Sequence, residues 1–520
     1  MAEVNGNGVA RKESFLDKIL NIIEAAGNKL PHPVMMFLGL AIIVVIASGI
    51  CGYFGVKAIH PGTKKEIEVV NLLSKSGFRR MFSNAVTNYA NFAPFGMVMV
   101  TVIGSAAAEK SGFLISLMQK VMSGAKPAIV TFLILLVGIN ANLAGDAGFI
   151  IMPALAAVIY LGIGRHPLLG MYVAFAGVAA GFCANLFLGM SDALAYGFTE
   201  SAAKMIDPNY SQSPAINWYF LMASTFVLCT AGTFLVEKVL IHRFPTTKEK
   251  MSEWNNNIEA TAKLTPEQNK GLKCAGIGFV ILLLVLVSMC LGSDPLLGDP
   301  EKGGSLMSGA SAFMKGIILI VTMMLLVPGV CYGFGSGKYK NVRDLIADIT
   351  AGFKEMGGYV FICFFIAQFT SYFSWSNLGT IIAIKGAEGL QALKITGIPL
   401  LIGLIFVSCI INLFIGSASA KWAILAPIFV PLMMLMDFDP AVTQVAYRIG
   451  DSITNPISPL FSYMPILLGY AHKYDKNVGV GTIIANMIPF SFTFAIIWTI
   501  QLIIWVLLNL PLGIGGKIYL

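Results

Sequence analysis

The stretch INLFIGSASAKWAILAPIFVPLMMLMDFDPAVTQVAYRIGDSITNPISPLF, residues 411–461, decides the fold class of this chain. It is apolar enough to lie in a lipid bilayer, yet its apolar runs are interrupted at 416–421 and again at 454–459. Backbone that is not helical at membrane depth survives only where protein or a water-filled cavity satisfies its N–H and C=O groups. Arg448 and Asp451 are ionisable, and an ionisable residue at this depth indicates a functional site. The stretch therefore predicts a substrate and ion site halfway across a membrane.

The composition of the 520 residues is that of a polytopic membrane protein. Hydrophobic residues make up 56% of the chain and charged residues 12%, whereas a soluble protein has about 25% charged residues. Segment 1–30 is polar and lacks the apolar core and cleavage site of a signal peptide, so it is predicted to be a cytoplasmic N-terminal segment. One membrane domain, 31–510, and a C-terminal tail, 511–520, are predicted to follow. The eight scattered cysteines are typical of structural thiols, and no basic run with interleaved aromatic residues suggests a nucleic-acid partner.

Hydrophobic runs predict nine membrane-spanning helices in an all-α fold. A span needs about 20 apolar residues. The runs that reach this length are 33–55, 88–108, 167–190, 218–241, 274–293, 314–336, 357–385, 441–470 and 481–510. Two further apolar regions, 127–163 and 397–437, are broken at 140–148 and 416–421, and each half is too short for a hydrocarbon core of about 30 Å. Each region is therefore predicted to form a re-entrant hairpin, which enters and leaves the membrane on one side.

The distribution of basic residues predicts which loops face the cytoplasm. With a cytoplasmic N-terminus, nine spans and two hairpins place loops 242–273 and 337–356 inside, and both are rich in Lys and Arg. The loops predicted to lie outside, 191–217 and 294–313, each contain a single lysine. This distribution follows the positive-inside rule. Loop 56–87 is an exception to the rule, because it is predicted to lie outside and yet is basic.

One arrangement of elements occurs twice, in units 127–192 and 397–470, with opposite predicted topology. Each hairpin is followed by a helix that opens at a proline, Pro167 or Pro440, which suits a first helical turn. Each helix then loses its helical character farther along. Inverted repeats with interrupted helices in matching places indicate the midplane site of a secondary transporter.

Six motifs resemble those of the AbgT family of aminobenzoyl-glutamate transporters. They are Asn-Lys-Leu-Pro-His-Pro at 28–33, Asn-Leu-Ala-Gly-Asp-Ala-Gly-Phe at 142–149, Gly-Arg-His-Pro-Leu at 164–168, Ala-Asn-Leu at 184–186 leading to Asp192, Ser-Ala-Ser-Ala-Lys-Trp at 417–422, and Tyr-Arg-Ile-Gly-Asp-Ser at 447–452. The resemblance implies a homodimer in a bacterial inner membrane, each protomer having nine helices, two hairpins, and a mobile transport core against a dimerising scaffold. It also implies import of p-aminobenzoyl-glutamate, or export of p-aminobenzoate and sulfonamides, coupled to a sodium or proton gradient. The positions that match the functional residues of the family are Asp192, Asn412, Trp422, Pro440, Arg448 and Asp451.

The charged residues are the first candidates for the substrate site. Arg448 and Asp451 are three residues apart, so they lie on one face of a helix. Arg448 is predicted to hold a substrate carboxylate, which a guanidinium can do bidentately, and Asp451 to carry the coupling ion or proton. The alternative is an internal ion pair that only rigidifies the helix. Asp192 is a third candidate, with a plain loop carboxylate as the alternative, and Pro440 is expected to shape the backbone and to contact substrate only indirectly.

One asparagine stands at each of the four interruptions: Asn142, Asn185, Asn412 and Asn455. Amide and unwound carbonyl oxygens suit a hard cation such as sodium, but an asparagine can equally cap freed backbone. Asn142, Asn412 and Asn455, with Asp451, are the predicted ligands of a bound sodium ion, and Asn412 with Asp451 is the preferred pair. Asn185 is placed among the substrate-binding residues. No other cofactor is predicted.

The remaining candidates lie at the predicted hairpin tips. Trp422 is predicted to stack on an aromatic substrate ring, and its alternatives are packing and an interfacial anchor. Ser417 and Ser419 offer hydroxyls to the substrate. Asp146 either contacts ion or substrate, or caps a helix. Lys421 is expected to be a tip charge that faces water.

Enzyme motifs are absent from the sequence. Segment 333–338 resembles a phosphate loop, but Tyr332 and Tyr339 stand where that motif needs Gly and Ser or Thr, so an ATP-driven pump is not expected. The sequence predicts a secondary active transporter of a small aromatic carboxylate, embedded in membrane lipid and driven by sodium or protons. The remote alternatives are a channel and a membrane hydrolase that uses Asp192 and Asp451.

Overall fold

The computed structural model describes residues 33–59, 65–123, 129–144, 146–245, 264–306, 311–415, 417–458, 461 and 463–520. The predictions for 1–30 and for the middle of loop 242–273 lie outside these residues. The α-helices are Pro33–Tyr53, Lys75–Ala90, Ala93–Lys110, Phe113–Ser123, Val130–Asn140, Asp146–Gly162, Pro167–Phe175, Met190–Ala203, Trp218–Lys238, Pro266–Cys290, Ala312–Lys315, Ile317–Gly335, Val342–Glu355, Gly357–Trp375, Leu378–Ala392, Ile398–Phe414, Ala418–Met434, Pro440–Thr454, Met464–Ala471 and Val480–Leu507. An antiparallel pair of strands, Lys57–Ile59 with Glu66–Glu68, adds a small β element to the predicted all-α fold.

Seven segments of the described chain are long and apolar enough to cross a membrane. They are Val34–Tyr53, Lys75–Lys110, Trp218–Lys238, Pro266–Cys290, Ile317–Gly335, Gly357–Trp375 and Val480–Leu507. Apolar side chains stay exposed on their outer surfaces: Ile277 is 63% exposed, Leu284 64% and Phe492 67%. Such a surface suits lipid tails and not water. The protein is therefore a multi-pass helical membrane protein, as its composition predicts.

The predicted span 357–385 is two helices in the structure. Gly357–Trp375 ends and Leu378–Ala392 begins on either side of Asn377, which has a φ of 60°. Asn adopts this left-handed conformation more readily than most residues, and the Asn377 side chain donates a hydrogen bond to the carbonyl of Glu68 at 2.9 Å. The prediction of one continuous span here is wrong because a single asparagine ends the helix.

Two pairs of short helices interrupt the series of long ones. The first short pair is Val130–Asn140 with Asp146–Gly162, and the second short pair is Ile398–Phe414 with Ala418–Met434. The chain between the members of each pair falls at the polar breaks that the sequence contains.

Each short pair is followed by an interrupted helix. The first broken helix consists of Pro167–Phe175, a π-helical turn at Ala176–Ala180, and Met190–Ala203. The second broken helix consists of Pro440–Thr454, a 3₁₀ turn at Asn455–Ile457, and Met464–Ala471. Every residue of Pro440–Thr454 is buried, so this helix lies at the centre of the protein.

Gly450 allows the second short pair to approach this central helix. A Cβ atom at Gly450 would contact the carbonyl oxygen of Ile405 and would lie 2.6 Å from Cβ of Ser408. Gly450→Ala is therefore expected to lower the free energy of unfolding by about 1–3 kcal/mol, the usual effect of overpacking. Gly403→Ala is the matched control, because nothing lies within 4 Å of the added Cβ. Thermal unfolding of both variants in detergent tests this, and equal melting temperatures would contradict it.

Asp439 caps the central helix and is itself covered by the C-terminal tail. The amide of Ala441 donates to Oδ1 of Asp439 at 2.8 Å, and the amide of Asp439 donates to the carbonyl of Ile518 at 2.9 Å. Burial raises the pKa of Asp439 to about 6, although the Ala441 amide and the charge of Lys517 lower it. Since the folded protein binds this proton more tightly than the unfolded chain, the free energy of unfolding decreases as the pH rises from about 4 to about 6.

Asp439→Asn is expected to raise the melting temperature at neutral pH and to flatten its decrease between about pH 4 and pH 6. Asparagine keeps the cap and has no charge to bury. A pKa rise of about two units corresponds to roughly 3 kcal/mol, which is the largest gain expected. Asp207→Asn is the control, because Asp207 is exposed and accepts a similar hydrogen bond from the Asn209 amide at 3.0 Å. Parallel pH curves for wild type and Asp439→Asn would refute the assignment.

Candidate functional site

Two buried ion pairs meet on the central helix, Pro440–Thr454. Arg448 donates from Nη1 to Oδ1 of Asp192 at 2.7 Å, and Nζ of Lys421 lies 2.5 Å from Oδ1 of Asp451. All four side chains are at most 2% exposed. Their burial is tolerable because each charge has an opposite charge in contact with it. Arg448 and Asp451 thus have different partners, each from another part of the chain.

Asp192 supports Arg448 from outside the cavity described below. Its Oδ2 accepts hydrogen bonds from the amide of Gly189 at 2.9 Å and from Nδ2 of Asn185 at 3.0 Å, while Oδ1 accepts from Arg448. The carboxylate therefore caps the start of Met190–Ala203 and holds the guanidinium at the same time. Asn185, predicted as a substrate ligand, contacts Asp192 in this arrangement.

Lys421 is buried, and the prediction that it faces water is wrong. The side chain is 1% exposed, and its ammonium donates to Oδ1 of Asn412 as well as pairing with Asp451. Ser417 caps the helix Ala418–Met434, so the helix has already begun when the chain reaches Lys421. The lysine consequently points from the helix into the protein and not from a loop into solvent.

Asn412 connects the second short pair to the end of the central helix. Its Nδ2 lies 2.6 Å from the carbonyl of Asp451, 2.8 Å from Oγ1 of Thr454 and 2.9 Å from Oδ1 of Asn455, all of which accept. Its Oδ1 accepts from Lys421. Three of the four predicted sodium ligands, Asn412, Asp451 and Asn455, therefore lie together. The ammonium of Lys421, however, contacts Oδ1 of both Asn412 and Asp451, the preferred pair.

These residues do not fit a sodium ion as they are arranged. Oδ1 of Asn412, of Asp451 and of Asn455 each already accepts a hydrogen bond from an ammonium or an amide, which leaves only Oδ2 of Asp451 without a partner among the side-chain oxygens of these three residues. The fourth predicted ligand, Asn142, lies elsewhere and donates to the carbonyl of Phe182 at 2.9 Å. As arranged in this structure, Asn142, Asn412, Asp451 and Asn455 do not form one sodium site, and sodium binding by these residues stays a prediction.

A cavity of about 400 Å³ adjoins the two ion pairs. Aromatic rings form much of its wall, namely Phe149, Phe182, Trp422, Tyr447, Phe461 and Tyr463. The polar residues of the wall are Asn142, Ser191, Ser417, Ser419, Arg448, Asp451 and Asn455. Ligand sites typically have volumes of about 300–1,000 Å³ and combine apolar walls with a few polar groups. This cavity has both properties.

Trp422 is fixed by contacts on its face and its edge. Its ring stacks on Tyr447, with centroids 4.3 Å apart and an interplanar angle of 18°. The indole N–H lies 3.1 Å from the carbonyl of Ala195 and 3.0 Å from Oγ1 of Thr199. Trp422 therefore links the second short pair to the first broken helix across the cavity wall.

Three buried polar atoms of the cavity-lining side chains have no hydrogen-bond partner among the described residues. They are Nε of Arg448, Oδ2 of Asp451 and Oδ1 of Asn142. An unsatisfied buried polar group costs about 1–3 kcal/mol, so a ligand that pairs with these atoms gains that energy. The site thus offers one donor on a cation and two acceptors.

A second, smaller cavity of about 160 Å³ shares Asn142 and Met190 with the first. Its wall extends to Glu109 and Glu355. Lys110 lies 2.6 Å from Glu355 and 3.4 Å from Glu109. The two cavities therefore adjoin at Asn142 and Met190.

One other predicted site residue, Pro440, lies apart from the cavity wall. Pro440 is the first residue of the central helix and is buried. Asp146 begins the helix Asp146–Gly162, and the prediction for its side chain falls outside the described part of the structure.

Sequence reasoning missed Tyr447 and Gln444. The hydroxyl of Tyr447 donates to the carbonyl of Ala418 at 2.6 Å, and Oε1 of Gln444 accepts from Thr199 at 2.6 Å. Both residues could have been found by counting back from Asp451, because they precede it by four and seven residues on one helical face.

Comparisons with known proteins agree with this architecture. Residues 18–520 match the family described as "AbgT putative transporter family". A p-aminobenzoyl-glutamate transport protein of Escherichia coli (strain K12) is 33% identical over 499 residues, which cover 96% of each chain. The YdaH transporter of Alcanivorax borkumensis is 34% identical, with a TM-score of 0.87 over 93% of this chain and 100% of that one. MtrF of Neisseria gonorrhoeae, described within a class of antimetabolite efflux pumps, is 38% identical, with a TM-score of 0.90 over 96% of this chain and 100% of that one. The chain belongs to the AbgT family of transporters.

Proposed function

We propose that this protein is a secondary active transporter that moves p-aminobenzoyl-glutamate across a bacterial inner membrane by alternating access, coupled to a sodium or proton gradient. The Escherichia coli relative carries the name of this substrate. The second candidate is proton-driven export of p-aminobenzoate and sulfonamides, which the similarity to an antimetabolite efflux pump favours.

The observation that carries the proposal is a buried cation at the wall of an aromatic cavity. Arg448 is 2% exposed and keeps its Nε free, although Asp192 already neutralises its charge. A substrate carboxylate that reaches this guanidinium forms a charge-assisted hydrogen bond, which is stronger than a neutral one. The cavity is thus suited to an anion that carries an aromatic ring.

The remaining groups complement the rest of such a substrate. Oδ2 of Asp451 and Oδ1 of Asn142 can accept from the N–H groups of an aromatic amide or amine. The rings of Trp422 and Phe149 offer faces or edges against which a benzoyl ring can pack. Ser417 and Ser419 supply hydroxyls at the cavity wall.

The two short pairs are proposed to be re-entrant hairpins, and the two units to be inverted repeats. Their support is the equivalent order of elements, a short pair, a proline-started helix and a break, which is found once in each unit. With these hairpins, nine spans remain, and the N-terminus is proposed to be cytoplasmic. The homodimer and the division into transport core and scaffold are proposed from the family resemblance.

The smaller cavity is proposed to be the cytoplasmic access route. Glu355 belongs to loop 337–356, which the charge distribution places inside. A substrate would then pass between the Arg448 site and the cytoplasm by way of Asn142 and Met190, which line both cavities.

The hydrolase alternative finds less support in the geometry. It needs Asp192 and Asp451 to act on one bound molecule, whereas three donors hold Asp192 behind Arg448 and the cavity wall includes only Asp451. The channel alternative predicts a conductance that is linear in the driving force, with no fixed ratio between the ions and the substrate molecules that cross.

Uptake of radiolabelled p-aminobenzoyl-glutamate into proteoliposomes, with sodium and proton gradients imposed separately, tests the proposed function. Accumulation with one gradient and none without it is the expected result. Loss of preloaded p-aminobenzoate or sulfonamide, without accumulation of the conjugate, would establish the exporter. If the conjugate does not accumulate and preloaded p-aminobenzoate or sulfonamide is not lost, the substrate assignment is refuted.

A further inference from the structure

We propose that Lys421 is a tethered cation, whose ammonium occupies the place between Asn412 and Asp451 that a coupling sodium ion would otherwise take. This inference narrows the proposed function, because a sodium gradient is then not expected to drive the wild-type protein. Its first test uses no substrate and no gradient, so it can fail separately from the transport proposal.

The contacts of Lys421 are those of a bound cation. The ammonium is 1% exposed and touches two oxygens, Oδ1 of Asp451 at 2.5 Å and Oδ1 of Asn412. A lysine ammonium is a compact charge that donates to oxygen. It therefore contacts both members of the pair, Asn412 and Asp451, that the sequence analysis preferred as sodium ligands.

The amide of Asn412 is oriented to serve this lysine. Its oxygen faces the ammonium, while its NH₂ group faces the carbonyl of Asp451, Oγ1 of Thr454 and Oδ1 of Asn455. A sodium ion that used these last oxygens would have to displace the amide hydrogens. Both ends of the Asn412 amide thus have partners when the lysine is present, whereas a sodium ion at the last three oxygens would meet amide hydrogens.

The charges at the site also balance without an added ion. Arg448 with Asp192 and Lys421 with Asp451 make two neutral pairs, and each of the four side chains is at most 2% exposed. An additional cation would leave one uncompensated positive charge there, which is costly at membrane depth. Removal of the lysine charge would instead leave a negative pocket that a free cation can neutralise.

Lys421 also ties the cavity to the second short pair. Oδ1 of Asp451 holds the lysine, and Oδ2 of the same carboxylate is one of the three unpartnered atoms of the cavity-lining side chains. A ligand N–H that binds Oδ2 competes for the same charge that holds the helix Ala418–Met434 in place. The tethered cation is therefore placed to connect occupancy of the cavity with the position of that helix.

Thermal unfolding of the purified protein in equal concentrations of sodium, potassium and choline chloride tests the inference. Wild type is expected to melt at one temperature in all three salts. Lys421→Met is expected to melt lower than wild type in choline chloride and to recover by several degrees only in sodium chloride, because the unpaired Asp451 then binds a free ion. Lys421→Met/Asp451→Asn is expected to show no sodium response.

Lys385→Met is the control for loss of a lysine charge, since Lys385 pairs with Glu388 on the surface. The melting temperature of Lys385→Met should be the same in sodium, potassium and choline chloride. A saturable, sodium-specific rise in the wild-type melting temperature that Asp451→Asn removes would overturn the inference, as would Lys421→Met without a sodium response. If Lys421→Met does not fold, the wild-type salt series alone tests the inference. Equal melting temperatures in the three salts support it, and a sodium-specific rise overturns it.

Discussion

Arg448→Met is expected to abolish uptake of aromatic carboxylates and to destabilise the protein. The substitution removes the cation that would meet the substrate and leaves Asp192 as an unpaired buried charge. Loss of one partner of a buried pair costs about 3–5 kcal/mol. The lower end applies here, because Gly189 and Asn185 still donate to the carboxylate. Loss of a hydrogen bond to a charged group, about 1.5–3 kcal/mol, would weaken substrate binding by at least tenfold.

The double variant Asp192→Asn/Arg448→Met separates these two effects. It removes both charges, and Asn at 192 can still accept from the amide of Gly189. Its melting temperature is expected to return close to that of wild type, while substrate binding stays lost. Equilibrium binding and thermal unfolding on the same preparations measure both quantities.

Arg165→Met is the matched control, because Arg165 is a partly buried, ion-paired arginine outside the cavity wall. Arg165 makes a bidentate pair with Glu237, at 2.6 and 2.9 Å, and is 18% exposed. Its replacement should lower stability and leave substrate affinity unchanged. Substrate affinity retained by Arg448→Met would show that the guanidinium serves packing alone.

The class of the protein and the places of its helix breaks follow from local sequence. A deficit of charge and long apolar runs predict membrane helices, and both broken helices start at the prolines that the sequence supplies. These features are predictable because each depends on residues that are neighbours in the chain. The break at Asn377 is not predicted from the sequence, because Ser and Asn within a largely apolar run also occur inside membrane helices.

The partners of the buried charges do not follow from local sequence. Arg448 and Asp192 are 256 residues apart, and the spacing on the central helix indicates only that Arg448 and Asp451 share a face. Lys421 was assigned to a loop because Ser and Ala precede it, yet one turn of helix already separates it from Ser417. The direction in which a helical side chain points changes if the helix begins one residue earlier or later, and the sequence does not fix that start so closely.

Two substitutions of Trp422 separate the contribution of its aromatic ring to stability and substrate binding from that of its N–H group. Trp422→Phe keeps a face to stack on Tyr447 but loses the hydrogen bonds to Ala195 and Thr199. It is expected to cost about 1 kcal/mol in stability and to retain most of the substrate affinity. Trp422→Ala also removes the ring, so we expect a stability loss of about 3–5 kcal/mol.

Substrate binding should follow the ring and not the N–H group. An aromatic pair contributes about 0.5–1.5 kcal/mol beyond its buried area, which predicts roughly a 3- to 10-fold weaker affinity of Trp422→Ala for p-aminobenzoyl-glutamate. The affinity for glutamate, which lacks the ring, should change little. Trp498→Ala is the matched control, because Trp498 is also buried and donates to Ser224 at 2.8 Å but is not part of the cavity wall. If Trp422→Ala and Trp498→Ala weaken binding of both ligands equally, the loss reflects general loosening of the fold and Trp422 does not contact the substrate ring.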